Sequence, residues 1–213
     1  MKILIADDHS IVRSGLKRML EGGFPDVVVG EATNTAELVA AVKGREWDAV
    51  ILDVALGAES GLTALPRIKE LRPKLPVVVL SMYGERQFVM RALAEGASAY
   101  LTKEQAADEE LFRAIRTVCA GRRYLGETLA EQLADHIAGG KSANPGSPHQ
   151  TLSSRELEVF LLLAAAKTVT EIAERLDISV KTVSTYRTRI LEKMALQSTA
   201  EIIQYAVRNG LVG

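Results

Sequence analysis

Over the first 121 residues, short apolar runs alternate with stretches in which apolar residues recur every three or four positions. The runs are Lys2–Ala6, Val27–Glu31, Ala49–Asp53, Val77–Ser81 and Ala99–Thr102. Val50-Ile51-Leu52 and Val77-Val78-Val79-Leu80 show no polar alternation, which suits strands buried on both faces. Helical spacing fills the intervals, over Ile11–Leu20, Thr35–Val42, Leu62–Leu71, Arg86–Ala94 and Asp108–Cys119. Five strand-then-helix units predict a parallel sheet covered by helices on both faces. A helical piece, Leu125–Ile137, trails from this region.

From Gly139 to Gln150 the periodicity stops, and turn-forming residues predict a flexible linker. Beyond it no strand pattern survives. Ser153…Glu156, Thr168…Glu171 and Ser198…Glu201 each fit a capping box, in which hydroxyl and carboxylate satisfy each other's backbone N–H groups. Ser179 is a fourth cap candidate without the glutamate. Four short helices in about 60 residues predict a small all-α domain.

Composition adds little to this picture and charge distribution adds slightly more. The 213 residues suffice for two small cores. No apolar run is long enough for a transmembrane helix, and the start of the chain does not read as a signal peptide. The single cysteine, Cys119, rules out an internal disulfide and lies in an apolar-periodic stretch, so a buried thiol and a cytoplasmic setting are expected. Residues 1–138 carry 17 Lys+Arg against 20 Asp+Glu, whereas residues 151–213 carry 8 against 7. Any contact with phosphates therefore points to the C-terminal part.

In an open parallel sheet, ligands bind at the carboxyl ends of the strands. Asp7 and Asp8 follow the first predicted strand, Asp53 ends the third, Ser81 ends the fourth and Lys103 follows the fifth. If the first and third strands are neighbours, three carboxylates converge. They would repel one another without a cation, and a hard ion such as Mg²⁺ suits them. Phosphoryl transfer fits, with Asp53 as nucleophile and Lys103 and Ser81 on the phosphoryl oxygens. Asp8 or Ser10 as a plain cap of the first helix is the bland alternative for that corner.

The motifs Ile5-Ala6-Asp7-Asp8-His9, Val50-Ile51-Leu52-Asp53, Val79-Leu80-Ser81 and Ala99-Tyr100-Leu101-Thr102-Lys103 resemble those of bacterial receiver domains, over residues 1–121. The resemblance implies a flavodoxin-like strand order, 2-1-3-4-5, and Asp53 as phosphoacceptor. It implies Mg²⁺ or Mn²⁺ on the carboxylates of Asp8 and Asp53, Asp7 acting through water, and the Ala55 carbonyl as a further ligand. Ser81 and Tyr100 would form the switch. Gly61, eight residues after Asp53, fits the pattern; Gly57 and Glu104 stand where proline is frequent. Aspartate-nucleophile phosphatases need a second acid two residues after the nucleophile, and Ala55 occupies that position, so a turnover enzyme is not expected.

Within the C-terminal part, Thr168–Leu176 predicts a short helix, Asp177-Ile178-Ser179 a tight turn and Val180–Met194 a longer helix: a helix-turn-helix whose second helix would enter the major groove. At about 100° per residue, Val183, Tyr186, Ile190 and Met194 share one face. Lys181, Ser184, Thr185, Thr188 and Glu192 lie opposite, Arg189 at that face's edge, and Arg187 and Lys193 beside the apolar face. Lys181, Ser184, Thr185 and Thr188 are expected toward bases, and Thr182, Arg187, Arg189 and Lys193 toward the DNA backbone.

Leu152-Ser153-Ser154-Arg155-Glu156-Leu157-Glu158-Val159, Glu171-Ile172-Ala173, Ile178-Ser179-Val180-Lys181-Thr182-Val183 and Ile190-Leu191-Glu192-Lys193-Met194 resemble the LuxR-type DNA-binding domain, over residues 151–213. Ala166 stands where glycine is common and Val169 where asparagine is. Residues 122–150 would be a helical extension and linker. The whole chain resembles a NarL/FixJ-type response regulator. That implies a histidine kinase as partner, double-stranded DNA as target, a homodimer on activation, often through the final helix, and no membrane. A regulator working without phosphorylation is the alternative.

Overall fold

The computed structural model describes residues 1–56, 59–82, 84, 86–106, 108–127, 129–131, 134 and 147–212. The chain forms two compact units, Met1–Lys141 and Ser142–Gly213. Gly57 and the expected linker as far as Gly146 lie outside the described residues.

The first unit runs β1 (Lys2–Ala6), α1 (Ser10–Gly23), β2 (Val28–Ala32), α2 (Thr35–Gly44) and β3 (Ala49–Asp53). A two-residue hairpin follows, β4 (Ala55–Leu56) and β5 (Glu59–Ser60), and then a 3-10 turn at Gly61–Thr63. After it come α3 (Ala64–Leu71), β6 (Val77–Ser81), α4 (Arg86–Ala94), β7 (Ala99–Thr102), α5 (Asp108–Cys119) and β8 (Tyr124–Leu125). The main sheet has the order β2-β1-β3-β6-β7-β8, with every neighbouring pair parallel.

The first five strands of that sheet carry the expected 2-1-3-4-5 order. The sixth, β8, corrects the expected strand number and displaces the start of the expected helical piece. Tyr124 and Leu125 pair with Ala99 and Tyr100, and the Tyr124 N–H donates to the Ser98 carbonyl at 3.0 Å. Residues 127, 129–131 and 134 are helical, and the remainder of Leu125–Ile137 past that point lies outside the described residues.

Strand side chains alternate between faces. Ile3, Ile5, Ile51, Val78, Leu80, Ala99 and Leu101 pack with Leu16 and Leu20 of α1 and Leu111, Ala114, Ile115 and Val118 of α5 in one buried cluster. The alternate residues Leu4, Val50, Leu52, Val77, Val79 and Tyr100 are equally buried, as the unbroken apolar runs require. Cys119 is exposed, against expectation. It lies about 90° round α5 from the Leu111–Val118 stripe, and its Sγ rests 3.7 Å from the Asp48 carbonyl.

The second unit opens with a 3-10 turn, Pro148–Thr151, followed by α6 (Ser154–Ala164), α7 (Val169–Arg175), α8 (Val180–Met194) and α9 (Thr199–Arg208). Ser153 and Thr168 form full capping boxes with Glu156 and Glu171. Ser179 caps α8 by accepting from the Thr182 N–H. Ser198 accepts from the Glu201 N–H, but Glu201 reaches back one residue further and accepts from Gln197 N–H at 2.9 Å. The apolar stripe of α9 faces the core: Ile202 and Ala206 are fully buried. Tyr205 meets His149 at 2.9 Å and lies edge-on to Phe160.

Ala166 explains why glycine is common at its position. It ends α6 in the left-handed region, at φ 59°, with Lys167 N–H closing onto the Leu162 carbonyl at 3.0 Å. An alanine Cβ is strained there by about 1 kcal/mol. Ala166→Gly should therefore stabilise the second unit by up to about 1 kcal/mol, read as a raised urea midpoint for its transition. An unchanged or lowered midpoint would count against strain at this turn.

Candidate functional site

The sheet order brings the polar residues together. Ala6 is in register with Leu52, so Asp7 comes out of β1 beside Asp53 at the end of β3. Asp53 is in register with Leu80, and Ser81 with Thr102, which sets Ser81 and Lys103 on the other flank. Asp7 and Asp53 are buried, at 1% and 2% exposure, and Ser81 is fully buried. Lys103 Nζ lies 3.0 Å from Asp7 Oδ2 and 2.8 Å from Asp53 Oδ2. One ammonium thus spans residues 96 and 50 positions away.

The acidic corner is held from its backbone. Asp7 Oδ1 accepts from the His9 N–H at 2.7 Å, and the Asp7 carbonyl accepts from Arg13 Nη1 at 2.9 Å. Arg13 Nε in turn bonds Glu31 at 3.1 Å. His9 is the N-cap of α1 and its side chain makes no cap hydrogen bond. Asp53 Oδ1 accepts from the Ala55 N–H at 3.2 Å, which fixes the loop just beyond the carboxylate.

Burial pushes the Asp53 carboxyl up to about 7, with Lys103 opposing and Asp7 adding to the rise. Burial draws Lys103 down, yet Asp53 and then Asp7 outweigh it and hold the ammonium above its usual range. One lysine cannot balance the carboxylates around it, so a divalent cation would favour the ionised form of the whole group. Ligand atoms of Asp7, Asp8, His9 and Asp53 all lie within 4.8 Å of one another. This is an acidic cluster of the kind that holds Mg²⁺, and the donor set fits such an ion. His9 is the member that sequence reasoning left out.

Gly61 is required by the same pocket. A Cβ there would lie 2.0 Å from the Asp53 carbonyl oxygen, while the Gly61 N–H donates to Val54 O at 2.7 Å. Gly61→Ala should push the acceptor loop out of place. We expect about 1–3 kcal/mol of destabilisation together with slower phosphorylation by acetyl phosphate. A variant with wild-type rate and melting would show that the loop yields freely.

Tyr100 is fully buried, so it is not a half-exposed strand tyrosine. Val79 is in register with Tyr100 and Ser81 with Thr102, which puts Ser81 and Tyr100 on one face of the sheet, two residues apart.

In the second unit, α7 and α8 are joined by the turn Asp177-Ile178-Ser179, with Asp177 at φ 49°, a conformation that aspartate tolerates. Val183, Ile190 and Met194 are buried and Tyr186 is half-buried. Lys181, Ser184, Thr185, Thr188 and Arg189 are exposed. The hydroxyls of Ser184, Thr185 and Thr188 donate to the carbonyls of Val180, Lys181 and Ser184 at 2.9, 3.0 and 3.1 Å. Thr182 Oγ1 lies 2.7 Å from Ser179 Oγ. Two of the expected phosphate contacts have partners inside the unit. Arg187 Nε donates to Thr199 Oγ1 at 2.9 Å, and Lys193 Nζ lies 2.7 Å from Glu156 Oε2.

Residues 3–116 match the family described as response regulator receiver domain. Residues 150–206 match that described as bacterial regulatory proteins, luxR family. The response regulator GacA of Pseudomonas aeruginosa is 37% identical over 212 residues, covering 100% of this chain and 98% of GacA. The chain belongs to the NarL/FixJ-type response regulators. The oxygen regulatory protein NreC of Staphylococcus carnosus is 36% identical over 216 residues, covering 100% of this chain and 99% of NreC. The Salmonella typhimurium response regulator RcsB matches structurally at a TM-score of 0.59 and 28% identity, over 97% of this chain and 98% of that one. Another RcsB structure, at 26% identity and TM-score 0.59 over 97% and 98% of the two chains, shows two RcsB dimers bound to two parallel DNAs. As a member of this family, the chain is a DNA-binding transcription regulator of a two-component system, and such regulators are not turnover enzymes. No helix among the described residues is long and apolar enough to cross a membrane.

Proposed function

We propose that Asp53 accepts a phosphoryl group from the phosphohistidine of a partner kinase, and that this changes how the second unit engages DNA. The bridge of Lys103 to both Asp53 and Asp7 carries the reading, because it joins the nucleophile to its counter-charge inside a buried pocket. A carboxylate oxygen of Asp53 forms the new P–O bond, the P–N bond to the donor imidazole breaks, and the imidazole nitrogen leaves with the electron pair and takes a proton. Asp8, Asp53 and the Ala55 carbonyl would hold Mg²⁺, with Asp7 supporting through water. Such an ion, when bound, offsets the charge of the incoming phosphoryl. Lys103 and Ser81 bind its oxygens.

The acyl phosphate adds a charge of roughly −1.5 to −2 next to Ser81. Ser81 moving toward it frees space beside Tyr100 on the same face, so the two shift together and bias a pre-existing equilibrium of the domain. The same residues assist loss of the phosphoryl to water; the protein takes part in its own modification without turning over an external substrate. Dimerisation of two copies on paired half-sites is the output, in the cytoplasm.

On DNA, α8 enters the major groove. Ser184, Thr185 and Thr188 have committed their protons to helix carbonyls, so they meet bases as acceptors. Amino groups of adenine or cytosine suit them. Lys181 also faces the bases, while Thr182 and Arg189 take phosphates. Arg187 through its Nε and Lys193 through its Nζ are held by Thr199 and Glu156, so they fix the helix, and their remaining N–H donors are left for phosphates.

The test is mass spectrometry of the protein after acetyl phosphate and Mg²⁺, with oligomeric state and DNA binding measured in parallel. One phosphoryl on Asp53 and tighter DNA binding are expected. The DNA face has its own check: affinity should fall steeply with salt, and Arg189→Ala should reduce the slope of log K against log[salt] by about 1. An unchanged slope would remove Arg189 from the phosphate contacts.

A further inference from the structure

We infer that the helical turn after β8 is a strap across the phosphorylation switch, held down by Leu129 while Asp53 is unmodified and released when Asp53 carries a phosphoryl group. The inference rests on the proposed role of Asp53 as acceptor. Leu129 is 4% exposed, whereas Glu127, Ala130 and Glu131 beside it are exposed. Its seat lies at the switch end of the sheet. A Cβ built on Gly84, three residues after Ser81, would stand 3.8 Å from Leu129 Cδ2 and 3.2 Å from Thr102 Cγ2. Thr102 is in register with Ser81 and directly precedes Lys103. The Ala130 N–H donates to the Gly126 carbonyl at 2.9 Å, which closes the turn that carries Leu129.

The chain enters the strap along the switch strand itself, where Leu125 pairs with Tyr100. Gly126 is buried and comes close against Gln105, since a Cβ there would lie 3.2 Å from Gln105 Oε1. That oxygen accepts from the Thr102 N–H at 3.3 Å, and the Gln105 N–H donates to the Thr102 carbonyl at 3.0 Å. One turn, Thr102–Gln105, thus carries both Lys103 and the seat of the strap. The Lys103 N–H also donates to the Ser81 carbonyl at 2.7 Å. When Ser81 and Lys103 close on a phosphoryl group, Thr102 and the backbone at Gly84 shift with them, and the seat no longer fits Leu129. β8 has two residues, and so short an edge strand is marginal by itself, so the hold on the segment depends on Leu129. Release adds residues to the tether that leads to the second unit, which widens its reach toward paired half-sites.

Hydrogen exchange of the full-length protein is followed by mass spectrometry before and after acetyl phosphate and Mg²⁺, with phosphoryl occupancy read from the intact mass. Amides of residues 125–131 are expected to exchange about tenfold faster once Asp53 is modified. Those of α2, beside the opposite edge strand β2, should keep their rates. Leu129→Ala should show the fast exchange without a phosphoryl group. Its unmodified form should bind DNA about fivefold more tightly than unmodified wild type. It should also bind beryllofluoride, a reversible phosphoryl mimic, more tightly, because coupling is reciprocal. Leu129→Met refills the seat and should match wild type throughout. Should Leu129→Ala lower the melting of the first unit, the wild-type exchange comparison decides alone. Wild type that takes a phosphoryl on Asp53 with the exchange of residues 125–131 unchanged or slowed overturns the inference and leaves the acceptor standing. A well-folded Leu129→Ala indistinguishable from wild type does the same. Wild type that takes up neither phosphoryl nor beryllofluoride overturns both.

Discussion

Asp53→Asn will gain no phosphoryl mass from acetyl phosphate and Mg²⁺, and acetyl phosphate will no longer alter its DNA binding or oligomeric state. The amide matches the carboxylate in size. Its oxygen can still accept from Lys103 or from the Ala55 N–H, so the pocket should fold. It lacks the anionic oxygen that attacks phosphorus, and it removes one charge from the pair that the ion and Lys103 share. Lys103 keeps Asp7 at 3.0 Å, so the lysine is not left as an unpaired buried charge, and thermal stability should stay close to wild type. That separates a chemical loss from a folding loss. A variant that still takes a phosphoryl elsewhere and still responds on DNA would break the link between Asp53 and output. A variant that fails to fold would instead point to Ser81→Ala, which keeps the acceptor and should pass less of the signal on.

Much of this pocket was legible because parallel α/β sheets concentrate chemistry at one end of strands whose burial is written in plain apolar runs. Val50-Ile51-Leu52 and Val77-Val78-Val79-Leu80 located the central strands, and the acids after them needed only the strand order to meet. What escaped has physical reasons. A two-residue edge strand such as Tyr124–Leu125 carries no period, and its pairing with Ala99 and Tyr100 depends on where α5 delivers the chain. The β4–β5 hairpin beyond Asp53 is as short. Cys119 shares a stretch with buried residues but not their side of the helix. His9 read as the tail of an acidic motif because sequence gives no direction for its ring. The intramolecular partners of Arg187 and Lys193 also escaped, because charge on a reading helix is visible in sequence, whereas Thr199 and Glu156 come to them only through folding.

A buried ion pair in the DNA-binding unit was also invisible as such in the sequence. Arg155, in the first turn of α6, looks like an ordinary surface charge, but its side chain is 8% exposed and that of Glu158 is 4% exposed. Arg155 Nη1 lies 2.6 Å from Glu158 Oε2 and Nη2 donates to the Leu176 carbonyl at 3.0 Å. Leu176 is the C-cap of α7, so the guanidinium ties the first helix of the unit to the end of the helix that precedes the turn. Arg155→Ala strands a buried carboxylate and an unsatisfied carbonyl, a loss of about 3–5 kcal/mol. A domain of this size holds only about 3–9 kcal/mol in total. The variant should therefore lose the melting transition of the second unit, or most of it, and DNA binding with it, while Asp53 still accepts phosphoryl at the wild-type rate. Pairing Arg155→Met with Glu158→Leu removes both charges and fills the space with apolar groups. That double variant should regain much of the stability, short of wild type by about 1–3 kcal/mol for the Leu176 carbonyl. If Arg155→Ala melts like wild type, water reaches Glu158 and the pair is a surface one. If the double variant is no better than the single, the requirement is for the guanidinium on the end of α7 rather than for a paired charge.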